Sequence, residues 1–338
     1  MKRKRLINIG EIPMRRKIVF IIIAILFTVF LSYLILKTID IESEERPKRI
    51  IFIPKLIDNT NDFWVDLIAG TELAAKEYDV DLTIVAPNRE DDYEGQNNFI
   101  DWAIREKPDA IVLVPADYTI SLPMVKKIKE QGIKLVLVDS NVAEKVEDVL
   151  IATDNFKAGR EMGRYITSYI EEDTQILMVS HVKTASTAIE RQAGVRAGLG
   201  KQEDKIVDVV YCDSDFLKAY NLTKEFIQNN PSINMVIGLN EYSSAGAFKA
   251  IKEVDKDRRI NAFGFDSSTA QIKFLEGNYC KGLMIQKPFN MGYLGIEKAV
   301  KLLDGQELPE YIDSGFQLIT QDNMYTKENQ KLLFPFER

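Results

Sequence analysis

The chain is poor in the residues from which most metal sites and hydrolytic centres are built. Its 338 residues include one histidine, His181, and two cysteines, Cys212 and Cys280. A lone histidine leaves no His-based metal site or catalytic triad to assemble, and little for general-base work. The cysteines lie far apart and match no metal spacing. They read as two free thiols, with a disulfide between them as the alternative. No P-loop occurs, so nucleotide hydrolysis lacks a phosphate cradle. Gly159 and Gly163, four apart, read as close helix packing instead of a nucleotide loop. The net charge of −7, without a basic stripe along the body, argues against a nucleic-acid surface. No nucleophile paired with a base stands out. The chain is not read as an enzyme, and nothing in it calls for a metal or other cofactor.

Basic residues are dense only at the N-terminus. Lys2, Arg3, Lys4, Arg5, Arg15, Arg16 and Lys17 face one acid, Glu11, across residues 1–17. Residues 18–36 then run IVFIIIAILFTVFLSYLIL without a charge. About 20 apolar residues span a bilayer as a helix. A positive flank belongs in the cytoplasm, which puts the remainder outside. A cleaved signal peptide is the competing reading, but it would end in small residues of the Ala-x-Ala type. Here the run ends in Tyr33-Leu34-Ile35-Leu36-Lys37, and no cysteine lies near it for lipid attachment. The expectation is an uncleaved single-pass anchor followed by a linker over residues 37–47.

From Lys48 onward, short apolar runs alternate with amphipathic helical stretches. Ile50–Ile53, Asp81–Ala86, Ala110–Val114, Lys134–Val138 and Val149–Thr153 read as strands, with helical patterns over Phe63–Tyr78, Tyr93–Arg105 and Leu122–Gln131. The pattern restarts after Thr153, with strands at Ile176–Val179, Asp208–Tyr211, Met235–Gly238, Ile260–Phe265 and Gly282–Ile285. Strands that alternate with helices predict parallel sheets covered on both faces. The fold class is therefore α/β, with two doubly wound lobes of similar size.

The polar and aromatic residues that stand out lie at the strand ends: Asn61, Phe63, Trp64, Asp139, Arg191, Phe216, Asn240, Asp266 and Gln286. Open α/β sheets bind ligands outside the carboxyl ends of their strands. Planar side chains with paired donors and acceptors suit the hydroxyls of a sugar, and an aromatic ring suits its C–H face. Each of these residues also has a plainer reading. An Asp at a strand end commonly caps the next helix, Arg191 could form a surface ion pair, and single aromatics are more often core. Recurrence at the same end of both lobes favours the site.

The segments Asn61-Asp62-Phe63-Trp64, Val138-Asp139-Ser140, Ala152-Thr153-Asp154-Asn155, Ile189-Glu190-Arg191-Gln192-Ala193-Gly194, Asp215-Phe216, Leu239-Asn240-Glu241, Gly264-Phe265-Asp266 and Ile285-Gln286-Lys287-Pro288 follow one another in a characteristic order. From about Lys48 to Thr320 the chain resembles the sugar-binding periplasmic-binding-protein family of the ribose-binding type. The resemblance implies two lobes joined by three crossovers, near Thr153-Asp154, Gln286-Lys287 and Phe316. It implies a first lobe of residues 48–153 plus 287–315 and a second of residues 154–286 plus 316–338. It also implies that Phe63, Trp64 and Phe216 stack on a sugar ring, while Asp139, Arg191, Asn240, Asp266 and Gln286 bond its hydroxyls, with Asn61 and Ser140 beside them. Where the family usually has an arginine after the strand-end aspartate, this chain has Ser140, so the guanidinium would be replaced by Lys55 or by water.

With its anchor, the layout resembles membrane-anchored xylose-binding proteins that pair with LytS-type sensor histidine kinases. That implies a monosaccharide ligand, a pentose such as xylose, and a kinase partner at the cell membrane. The alternative is the substrate-binding component of an ABC sugar importer, with a permease as partner. A quorum-signal or polyol receptor on the same scaffold is a third reading. Sugar-responsive repressors share the lobes but begin with a helix-turn-helix, which is not what stands here.

Overall fold

The computed structural model describes residues 14–42 and 46–334. The chain divides into two units, residues 1–47 and the body from Lys48. In the first, α1 (Met14–Glu42) contains an apolar span, Met14–Tyr33, long enough to cross a membrane by length and composition. Its large side chains from Ile18 to Tyr33 are exposed around the helix, the pattern of a helix that needs an apolar surrounding. Residues 1–13 of the basic segment, residues 43–45 of the linker and residues 335–338 lie outside the described residues.

The body carries two six-stranded sheets. The first is built from β1 (Lys48–Ile53), β2 (Val80–Ile84), β3 (Ala110–Leu113), β4 (Lys134–Val138) and β5 (Val149–Ala152), with β11 (Tyr311–Asp313) at its edge. Its order is β2-β1-β3-β4-β5-β11, parallel throughout. The second is built from β6 (Ile176–Ser180), β7 (Ile206–Tyr211), β8 (Met235–Gly238), β9 (Asn261–Phe265) and β10 (Cys280–Ile285), with β12 (Gln317–Ile319) at its edge. Its order, β7-β6-β8-β9-β10-β12, repeats the first. One departure from the all-parallel expectation is β12, which pairs antiparallel with β10. It enters directly from β11 of the first sheet through Ser314–Phe316, with no helix between.

Burial follows the two-residue period of the strands. Ile50, Phe52, Val112, Val136 and Val138 point to one side of the first sheet, against α2 (Asp62–Glu77) and α10 (Pro288–Leu303). Ile51, Ile53, Ile111, Leu113, Leu135 and Leu137 point to the other, against α3 (Tyr93–Glu106) and α4 (Leu122–Glu130). The second sheet is sandwiched likewise. Leu177, Val179, Val236 and Ala262 face α7 (Phe216–Asn229), α8 (Glu241–Val254) and α9 (Thr269–Glu276). Met178, Ile237, Phe263 and Phe265 face α5 (Asn155–Ile166) and α6 (Ser186–Leu199). The last helix, α11 (Lys327–Leu333), adds Leu333 to the former layer.

The chain passes between the sheets three times: after β5 at Thr153, after β10 at Gln286 and Lys287, and between β11 and β12. Gly159 and Gly163 of α5 face Gly194 and Gly198 of α6. A Cβ on Gly159 would lie 2.4 Å from the Arg191 carbonyl oxygen. These glycines let two helix backbones touch. Cys212 and Cys280 are buried free thiols, and burial pushes both up to about 12.

Candidate sugar-binding site

At the carboxyl ends of the facing strands, the lobes enclose a cavity of about 30 Å³. That is room for about one or two water molecules. Of the residues expected at the site, Asn61, Phe63, Trp64, Asp139, Arg191, Asn240, Asp266 and Gln286 all line it. Lys55, Glu90, His181, Thr187 and Glu241 join them.

Each wall is set by local structure. In the first lobe, the loop after β1 supplies Lys55, whose Nζ lies 3.1 Å from Asp139 Oδ2 with both side chains buried. Ser140, the next residue, supports the same carboxylate. Its Oγ donates to Asp139 Oδ2 at 2.7 Å and steadies that carboxylate. Asn61 caps α2 by accepting from Trp64 N at 3.2 Å, which fixes Phe63 and Trp64 in the first turn. The two rings meet edge to face, centroids 5.1 Å apart. Trp64 is 2% exposed, and its indole N–H donates to Glu90 Oε1 at 2.7 Å.

In the second lobe, Arg191 on α6 is held from several sides. Its Nε donates to Asn155 Oδ1 at 2.8 Å, and Nη1 to the Leu239 carbonyl at 2.7 Å. Its guanidinium lies 4.9 Å from the Phe265 ring centre and 4.0 Å from Asp266 Oδ2. Gln286 Nε2 donates to Asp266 Oδ1 at 2.7 Å. Asn240 caps α8 in a reciprocal capping box with Ser243, and its Nδ2 donates to Ser214 Oγ at 3.2 Å. Helix capping therefore falls to Asn61 and Asn240, and the aspartates Asp139 and Asp266 are left to the cavity.

Phe216 is not brought into the cavity. As the first residue of α7, held by the Asp215 cap, it is 36% exposed. Lys249 Nζ sits 5.4 Å from its ring centre. The ring lines a separate, open groove of about 620 Å³ with Leu56, Arg89, Leu217 and Tyr242.

Two buried polar atoms at the cavity have no hydrogen-bond partner, His181 Nδ1 and Gln286 Oε1. Leaving such atoms unpaired costs about 1–3 kcal/mol each. Both residues line the cavity. Burial, then the charges of Arg191 and Lys55, hold His181 well below its ordinary value. It is a neutral imidazole with Nε2 2.8 Å from Thr187 Oγ1. Burial pushes Glu90 and Asp266 up, and raises Glu241 to about 8. Four carboxyls, those of Glu90, Asp139, Glu241 and Asp266, and two cations, Lys55 and Arg191, make a densely polar site.

Two lobes of repeated doubly wound topology, closing on a polar cavity at their strand ends, define a type I periplasmic binding fold. The family profile described as "Periplasmic binding protein domain" matches residues 50–307, and the chain belongs to that family. A D-ribose/D-allose-binding protein of Pseudomonas aeruginosa is 25% identical over 300 residues, 86% of this chain and 93% of that protein. A solved sugar transporter from Clostridium phytofermentans is 41% identical, with a TM-score of 0.77 over 81% of this chain and 99% of that one. An ABC transporter solute binding protein from Agrobacterium vitis, solved with bound D-fucose, is 26% identical, with a TM-score of 0.80 over 85% and 100%.

Proposed function

We propose that this protein is a membrane-anchored extracellular receptor that closes its two lobes on a monosaccharide, a pentose such as xylose, and signals the closed state to a sensor histidine kinase. The sugar assignment is carried by one observation: side chains from both lobes converge on a single cavity and leave His181 Nδ1 and Gln286 Oε1 unpartnered there. Phe63 and Trp64 supply the apolar wall. Asp139 and Asp266 accept hydroxyl protons, while Lys55, Arg191, Asn240 and Gln286 donate. Sugar binding also accords with the ligands and names of the relatives. Closure signals only through differential affinity of the partner for the two lobe arrangements.

The anchor and the outward placement rest on the apolar span of α1 and on the basic flank before it. The kinase partner rests on that layout, since diffusible transport proteins have no need of a spanning helix. The second reading, the substrate-binding component of an ABC sugar importer, is favoured by the relatives named as transport proteins. Titration calorimetry of the full chain in detergent against pentoses, hexoses and polyols tests the ligand. Tight binding of one sugar, lost in Asp266→Asn, supports the site; no heat with any sugar from folded protein ends the sugar assignment. Co-reconstitution with a candidate sensor kinase or a candidate sugar permease, read as sugar-dependent phosphorylation or uptake, separates the two partners.

A further inference from the structure

The start of α2 is completed by the other lobe. The first amides of any helix have no partner within it. Here Trp64 N is taken by the Asn61 cap, but Asp62 N and Phe63 N are not taken from within lobe one. They donate to Glu241 Oε1 and Oε2, at 3.2 and 3.0 Å. Glu241 opens α8 in lobe two and is 5% exposed. The next residue, Tyr242, hydrogen-bonds through its hydroxyl to Asp58 of lobe one. Other bridges between the lobes run from Ser214 Oγ to Glu90 Oε2 at 2.7 Å, from Tyr118 N to the Thr184 carbonyl at 2.9 Å and from Asn141 N to Ser186 Oγ at 3.0 Å.

We propose that Glu241 is the closure clamp of this protein, a positioning residue that sets sugar affinity by holding the lobes together at the start of α2. The inference rests on the sugar-binding reading. Parting the lobes returns two helix amides and a carboxylate to water, and shutting them completes the capping of the turn that carries Phe63 and Trp64. Apparent affinity scales with the fraction of protein in the binding-competent arrangement, so Glu241 acts on binding through that fraction.

The test uses the full chain in detergent with spin labels at Glu72→Cys on α2 and Gln228→Cys on α7, both exposed positions. The native cysteines are buried and do not compete for label. Interlobe distances are read with and without sugar, and affinity is read by calorimetry. Glu241→Ala is expected to lengthen the sugar-free distance, leave the sugar-saturated distance as in the parent, and weaken affinity by about tenfold or more, the scale of two lost hydrogen bonds. Glu241→Gln keeps one acceptor oxygen of the right reach and is expected to fall between. An unchanged sugar-free distance in Glu241→Ala overturns the clamp, whether or not affinity falls. If the parent protein binds no sugar, the functional reading fails while the distance comparison still decides the clamp.

Discussion

Asp139 and Asp266 occupy the same place in the two lobes. Each follows the fourth strand of its sheet order, β4 or β9, and each backbone N–H donates to the neighbouring strand, to Ile151 O and Met284 O respectively, both at 2.9 Å. Each also sits in the left-handed region, with φ of 63° and 67°. Such a backbone turns a strand-end side chain across the sheet edge into the cleft. Asp tolerates it better than most residues because its short polar side chain bonds locally. The strain falls at the two carboxylates that the site uses, as is common at functional positions.

The two roles of Asp266 can be separated. Asp266→Asn keeps an acceptor for Gln286 and a residue at ease with positive φ, so folding stability is expected to stay within about 1 kcal/mol. Losing the charged acceptor for sugar hydroxyls is expected to weaken affinity about tenfold to a hundredfold. Asp266→Ala is expected to lose that affinity and a further 1–2 kcal/mol or so of stability from the left-handed backbone. Denaturant melts and calorimetry on the same samples check this. Equal stability of the two variants would count against backbone strain at this position.

Close packing of α5 on α6 positions Arg191. A methyl group at Gly159 meets the Arg191 carbonyl oxygen at 2.4 Å and the Gly194 Cα at 3.1 Å, so the helices must separate. Gly159→Ala is expected to cost about 1–3 kcal/mol, as overpacking does. It is also expected to weaken sugar binding, because the Arg191–Asn155 hydrogen bond bridges the same two helices. Thermal melts and calorimetry measure both effects. Lost stability with undiminished affinity would show that Arg191 tolerates the shift.

Much of this arrangement is legible in the sequence, and the gaps have physical causes. Runs such as Lys-Leu-Val-Leu-Val before Asp139 are buried on both faces and so appear as unbroken apolar strands. Tyr311–Asp313 is missed because an edge strand of three residues, mostly exposed, has too little pattern to show. The direction of β12 is likewise unreadable from three residues. Lys55 is expected from the sequence as a stand-in for the family's arginine, whereas Glu90 and Glu241 look like ordinary surface charges, because they meet partners on the opposite lobe. His181 is one residue in no motif, and only tertiary placement brings it to the cavity. Phe216 follows the family pattern in sequence, yet the cap of α7 directs its ring to the outer groove.

His181 offers a spectroscopic check, because its imidazole signal is the only one from this chain. Burial beside Arg191 and Lys55 keeps the ring neutral well below its ordinary value, so its nitrogen shifts are expected to stay constant from pH 8 to 6. Sugar is expected to move them by pairing with Nδ1. His181→Ala should weaken affinity by about fivefold to tenfold, the range of one neutral hydrogen bond. Stability should also fall, by about 1–3 kcal/mol, since Thr187 Oγ1 loses its buried partner Nε2. A signal that titrates near pH 6.5 in the sugar-bound protein would contradict the buried, neutral ring.

Closure should also take up protons. With the lobes shut, burial above all raises Glu241 to about 8, with Asp266 and Asp62 adding to the rise and the amides of Phe63 and Asp62 opposing it. With the lobes parted, water restores its ordinary value near 4.5. The shut form therefore binds more protons between those two values, so closure is favoured as pH falls and weakened as pH rises through about 8. Burial raises Glu90 and Asp266 in the same direction. His181 acts the other way, because a shut cavity excludes its proton, but only below its ordinary value of 6.5. The remaining charges at the cavity, Lys55, Arg191 and Asp139, complete the set that faces Glu241. Between pH 6.5 and 9, sugar affinity is thus expected to fall with rising pH, by at most about tenfold per unit for each proton released. Glu241→Gln should flatten the part of that slope due to one proton. Calorimetry across this range reads the slope directly, and an affinity that rises with pH would rule out proton-linked closure at Glu241.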